Sequence, residues 1–214
     1  GDVNFDGIIN VLDVVMLVGA ILDTLILESD QMVAGDLNQD DIINVLDIVG
    51  IIDIILGDLL TRGKSTNQAE LHYGNGILSY EADGAVAGLQ LEVSSDFNIT
   101  DTHISDAWEI KYSDNTIIMF SMDGSNLESK TLFSYNGTLI IESAIVADWH
   151  NSDIAISTIL FPKEIALQPA YPNPFNPITY INFELPLESE VSIQIFNLQG
   201  RLLNTLVNGH MNAG

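Results

Sequence analysis

The apolar positions of this chain change their period twice. In two early stretches, VLDVVMLVGAIL from Val11 and VLDIVGIIDIIL from Val45, apolar residues fall on nearly every face of a helix. They predict helices over Val11–Leu22 and Val45–Leu56. A two-helix module of this size cannot bury that much apolar surface internally, so part of it should meet another surface. Residues 57–70, GDLLTRGKSTNQAE, turn polar and include Arg62 and Lys64; they read as a linker. From Leu71 the pattern becomes period two, or short apolar runs separated by Asn, Asp, Gly and Ser. Candidate strands are 76–80, 85–93, 108–112, 116–122, 131–135, 138–146 and 154–159, with turns marked by Asp83-Gly84, Asp114-Asn115, Asp123-Gly124 and Asn136-Gly137. Many short antiparallel strands at this spacing predict a sandwich. A second change follows at Pro169-Ala170-Tyr171-Pro172-Asn173-Pro174-Phe175-Asn176-Pro177, read as an extended, stiff connector. Further alternating strands are expected over 178–185, 191–197 and 201–207. The fold class is therefore multidomain: a small α-helical module followed by two all-β sandwich modules.

Each predicted helix is preceded by a loop of the same pattern, GDVNFDGIINVLD at Gly1–Asp13 and GDLNQDDIINVLD at Gly35–Asp47. Oxygen-bearing side chains stand at loop positions 1, 3, 5, 9 and 12. These are Asp2, Asn4, Asp6, Asn10 and Asp13 in the first loop, and Asp36, Asn38, Asp40, Asn44 and Asp47 in the second. Ile8 and Ile42, at position 7, offer backbone carbonyls. Calcium is a hard cation that takes six to eight oxygens, so a short loop must present alternate residues inward. The spacing is that of an EF-hand calcium loop with Asp at position 12, and two Ca2+ ions are expected. Gly7 at position 6 permits the sharp turn; Asp41 replaces that glycine in the second loop, where more strain is expected. No helix is expected to enter the first loop, and only an exiting helix is expected after each: half an EF-hand, twice.

These paired loop–helix repeats resemble a dockerin, the calcium-dependent plug that binds cohesin modules in extracellular assemblies. The resemblance covers residues 1–60 and implies that loop positions 10 and 11 contribute to partner recognition. Those are Val11 and Leu12, and Val45 and Leu46, so the module could present nearly the same face in two orientations. AVAGLQLEVS (Ala85–Ser94), IIMFSMDGSNL (Ile117–Leu127) and LIIESAIVAD (Leu139–Asp148) are similar to strands of a cohesin-like jelly roll. YPNPFNPITYINFELP and VSIQIFNLQGRLLNTLVNG resemble the C-terminal sorting module of bacterial surface proteins exported by the type IX route. That likeness implies an immunoglobulin-like sandwich, here apparently lacking its last strands. A strand from another chain could complete it. The implied parts are a dockerin-like module at 1–60, a linker at 61–70, a cohesin-like sandwich at 71–162 and a sorting module at 163–214.

Composition agrees with an extracellular setting. The 214 residues carry 30 acidic and 6 basic side chains, a net charge of −24, which repels nucleic acid and anionic membranes. There is no cysteine, so calcium would be the staple that a small module needs. No stretch reaches the roughly 18–20 apolar residues of a membrane span. The four histidines are scattered, and Asp148, His150 and Asp153 read as a loop. Trp108 and Trp149 read as core or rim residues, and no catalytic constellation stands out. The expectation is a non-enzymatic protein of the bacterial cell surface or exterior. It would self-assemble into a filament or array by plug-in-socket contacts between copies of itself, or dock onto a cohesin-like protein. The other reading is the anchoring region of a secreted polysaccharide-degrading enzyme with its catalytic domain upstream.

Overall fold

A computed structural model describes residues 1–57, 63–94, 96–150, 154–162 and 164–214; Arg62 of the expected linker and Asp153 lie outside them. The chain forms two compact units, Gly1–Ile159 and Leu160–Gly214.

The first unit opens with three helices, α1 (Val11–Ile21), α2 (Ser29–Gly35) and α3 (Val45–Leu56). α1 and α3 start where the pattern places them, because Asn10 and Asn44 cap them. Each cap oxygen accepts the N–H two residues on, from Leu12 and Leu46. Asp13 and Asp47 reach back to the cap N–H groups, completing capping boxes. The short α2 was not expected. Its Glu28 and Gln31 form a further capping box, and it runs directly into the second loop, so that loop has an entering helix after all. Val14 and Leu17 of α1 and Ile48 and Ile51 of α3 are buried in one cluster.

Nine strands follow among the described residues: β1 (Gln68–Gly74), β2 (Ile77–Ala82), β3 (Gly88–Ser94), β4 (Phe97–Thr102), β5 (Trp108–Tyr112), β6 (Thr116–Ser121), β7 (Thr131–Gly137), β8 (Ile140–Ala147) and β9 (Ala155–Leu160). They make a five-stranded sheet, β4-β7-β2-β1-β9, and a four-stranded sheet, β5-β6-β3-β8. β1 and β4 alternate apolar and polar residues, Ala69, Leu71 and Tyr73 in one and Phe97 and Ile99 in the other, in runs too short and too polar to be expected as strands. Residues 68–70, expected in the linker, begin β1.

Register sorts the four-stranded sheet into two apolar faces. Leu89 pairs with Met119 and Val146, and Leu91 with Ile117 and Ala144. This face joins Leu71, Leu78, Leu132 and Phe133 of the other sheet in the sandwich core. The alternate rows are Gly88 with Phe120 and Ala147, and Gln90 with Ile118 and Ile145. They point away from that core, yet Ile118, Phe120 and Ala147 are buried. What covers them is the helical module, since Val45 and Val49 of α3 share a cluster with Ile118, Phe120, Ala147 and Trp149. Every residue of β6 is consequently buried, and its run Ile117-Ile118-Met119-Phe120 is the signature of a strand covered on both faces.

Gly88 sets how closely the layers approach. A Cβ there would lie 2.8 Å from Cγ2 of Val45 and 2.9 Å from Cγ2 of Val49, inside van der Waals contact.

In the second unit, β10 (Ala166–Leu167) pairs with β11 (Phe183–Glu184), and β12 (Ser189–Phe196) with β13 (Leu202–Met211). The proline run is the loop joining β10 to β11, closed by backbone pairing of Tyr171 with Tyr180, and not a connector between modules. Gly214 exchanges backbone hydrogen bonds with Leu185.

Gly88→Val should destabilise the helix–sheet contact by about 1–3 kcal/mol through overpacking while leaving the core between the sheets intact. Fluorescence of Trp149 in a Trp108→Phe background is the reporter. A red shift and greater acrylamide quenching are expected; an unchanged spectrum would mean the contact is not set by Gly88.

Candidate calcium loops and docking face

The two loops repeat one hydrogen-bond scheme. In the first, the Asp2 carboxylate accepts the Asp6 and Gly7 N–H groups at 3.2 and 2.9 Å. Asn4 donates its amide to Asp6 at 3.0 Å, and Asp6 accepts the Ile8 N–H at 2.8 Å. In the second, Asp36 accepts from Asp40 and Asp41 at 3.2 and 2.9 Å, Asn38 donates to Asp40 at 2.8 Å, and Asp40 accepts from Ile42 at 2.8 Å. Position 12 closes each loop. Asp13 accepts the Val3 and Asn10 N–H groups, both at 2.8 Å; Asp47 accepts those of Leu37 and Asn44 at 2.8 and 3.0 Å. Both closing carboxylates are fully buried. Burial pushes the Asp47 carboxyl up, against the downward pull of its backbone N–H partners.

The donor set fits a hard cation. Asp2, Asn4, Asp6 and their counterparts bring oxygen atoms together at alternate positions. The side chains of Ile8 and Ile42 are exposed, and their backbone carbonyls are the groups the pattern assigns to the ion. Among the described residues no three His, Cys, Asp or Glu side chains converge, so amide and backbone oxygens would complete each set. Backbone strain supports this fit. Phe5 and Gln39, at position 4, have φ of 59° and 61°, and Asp41 has φ of 64° beside 86° for Gly7. Left-handed conformations at residues other than glycine persist where the surroundings over-determine them, as coordination would. Asn10 and Asn44 stand differently: their oxygens already accept a helix N–H, so position 9 serves as the helix cap.

The four docking-face candidates separate. Val45 is fully buried against the sheet, and its N–H donates to the side-chain oxygen of Gln90 at 3.0 Å. Leu46 is half-buried and lines, with Leu37, Val49 and Trp149, a cleft of about 520 Å³ beside α3. Val11 and Leu12, their repeat counterparts, are exposed, as is Val15.

Residues 1–56 match the dockerin type I domain, and residues 169–213 match the secretion system C-terminal sorting domain. The chain carries a dockerin domain and a sorting domain. No curated protein matches it. Dockerin type I domains bind calcium and dock onto cohesins. The sorting domain marks the chain as secreted or cell-surface. Both are non-catalytic modules. No helix among the described residues is long and apolar enough to cross a membrane.

Outside the dockerin domain, Asp148 ties the entry of the sandwich to the end of β8. Its buried carboxylate accepts from the Thr66 N–H at 3.0 Å, the Ser65 hydroxyl at 3.2 Å and the His150 N–H at 2.9 Å. Both tryptophans are buried, so neither offers a stacking platform. Gln90 is the residue of the α3–sheet contact that a pattern reading passes over. Its signal is a carboxamide on the outer face of a strand, between Gly88 and Glu92 and across from Ile118 and Ile145.

Asp13→Asn and Asp47→Asn keep side-chain volume but remove a charged ligand, and each should weaken calcium binding at least about tenfold. Isothermal titration of the full chain would show this; unchanged affinity would exclude position 12 from the ion.

Proposed function

We propose that this is an extracellular structural protein that self-assembles in a calcium-dependent way, its dockerin domain acting as plug and its sandwich as socket. The supporting observation is the seat of α3, with Val45 and Val49 over bare Gly88 and the Val45 N–H bonded to Gln90. This is a plug resting on a sheet of the kind it would meet in a second chain. The nine-stranded, two-sheet topology supports reading the sandwich as cohesin-like.

Calcium would act through the loops. Two ions would be held, one by Asp2, Asn4, Asp6, Asp13 and the Ile8 carbonyl, and one by Asp36, Asn38, Asp40, Asp47 and the Ile42 carbonyl. Asn10 and Asn44 at position 9 would support them. Without a cation these carboxylates repel one another, so binding couples to folding of the plug. Position 12 is also the third residue of each helix, and ordering it fixes the N-terminus of α3, the end that meets Gln90.

A second reading is favoured by the exposure of Val11, Leu12 and Val15. This free face suits a cohesin on another protein, which would make the chain the anchoring part of a secreted enzyme with catalysis upstream.

Light scattering on the purified chain at about millimolar concentration, in calcium and then in excess chelator, separates the two. Self-assembly predicts large particles that dissolve on chelation. Monomers in both conditions, with capture of a cohesin that Val11→Glu and Leu12→Glu abolish, would replace it with the anchoring reading.

A further inference from the structure

We propose that the chain is self-closing: the sheet β5-β6-β3-β8 is a docking surface for α3 of a second copy, and α3 of the same chain holds it shut. This rests on the plug-in-socket reading and adds what regulates it.

The surface on offer is apolar and shaped for a helix. Ile118, Phe120 and Ala147 form it, Gly88 lets the helix backbone close in, and Gln90 takes the first free N–H of α3. All of these are covered within one chain. A second copy presents the same α3, so its contact would be the same contact, and the two compete directly.

Tether length decides the competition. Ten residues, 58–67, separate Gly57 at the end of α3 from β1 at Gln68, and of these Lys64, Ser65 and Thr66 are already hydrogen-bonded to the sandwich at Ala85 and Asp148, so the free tether is shorter still. Short tethers give effective concentrations on the order of millimolar. At about 10 μM chain, closure within one molecule is therefore favoured about 100-fold over docking between molecules. Exchange becomes competitive only where chains are crowded to roughly millimolar density, as on a surface displaying many copies. Each exchanged plug leaves its own sheet bare for the next chain. The contact is heterologous, so an array that does not close on itself can keep growing.

The absence of cysteine makes this testable by disulfide trapping. Cγ2 of Val49 stands where a cysteine sulfur would sit, 2.9 Å from a Cβ built at Gly88. An S–S bond of about 2 Å places one Cβ roughly 3 Å from the far sulfur. The double variant Val49→Cys/Gly88→Cys, oxidised in calcium at about 10 μM, should give an internally bridged monomer. A mixture of the two single variants can bridge only between chains. It should give little covalent dimer at 10 μM and abundant dimer at millimolar concentration.

Efficient bridging of the mixed single variants at 10 μM would overturn self-closure while leaving plug-in-socket assembly standing. Internal bridging of the double variant with no bridging of the mixture even at millimolar concentration would keep the closed state but refute exchange, and with it the assembly reading. Because cysteine at Gly88 could perturb the fold, sedimentation of the unmodified chain supplies a second readout. Monomers from 1 to 100 μM are expected; oligomers at 1 μM would contradict self-closure.

Discussion

The structure depends on the approach of α3 to a strand that has no side chain at the point of contact. Val45 and Val49 can sit on β3 only because position 88 is glycine. Several features follow from that contact. The outer face of the four-stranded sheet can be apolar, because α3 of the same chain covers it. β6 can be buried along its whole length. α3 can be apolar on nearly every face, because one side packs with α1 and another meets the sheet. The same few residues also join the second candidate calcium loop to the contact. Asp47 closes the loop and completes the capping box, and the N–H of the neighbouring Val45 is bonded to Gln90. The loop and the sheet contact thus lie within one helix turn of each other.

Much of this was legible in the sequence because local chemistry and pattern agreed. The loop spacing and the Asn-x-x-Asp caps fix where α1 and α3 begin. Alternation in Leu89, Leu91 and Val93 gives β3, and turn dipeptides bound most of its neighbours. The excess apolar surface of α3 correctly signalled a surface to be met. Which surface it was could not be read, because contact between residues 45 and 88 leaves no periodic trace. The elements that escaped were those whose stability comes from packing and pairing. β1 and β4 alternate but bring only two or three apolar residues each, and α2 is a seven-residue helix anchored by its capping box. The proline run looked like a connector, because backbone pairing of Tyr171 with Tyr180 is invisible in composition. Left-handed backbone at Phe5 and Gln39 was equally hidden, since neither residue type announces it.

A net charge of −24 bears on the contact between helices and sheet as well. The plug carries fixed negative charge on both loops, and the sandwich it rests on is acidic as well. Glu92 and Glu142 line, together with Asp23 of the plug, a second cleft between helices and sheet. Like charges across that boundary oppose docking, so the apolar seat at Gly88 must outweigh them. Cations that neutralise the loops lower the opposition. The contact is apolar at its centre and acidic at its margin.

The most direct measurement is amide hydrogen exchange on the full chain, in calcium and in excess chelator, followed at α3 and at the strands it covers. If calcium governs the contact, the Val45 amide and the α3 backbone are strongly protected in calcium. They lose that protection on chelation, while amides of β1, β2 and β7 stay protected. Equal protection of α3 in both conditions would contradict calcium control of the plug.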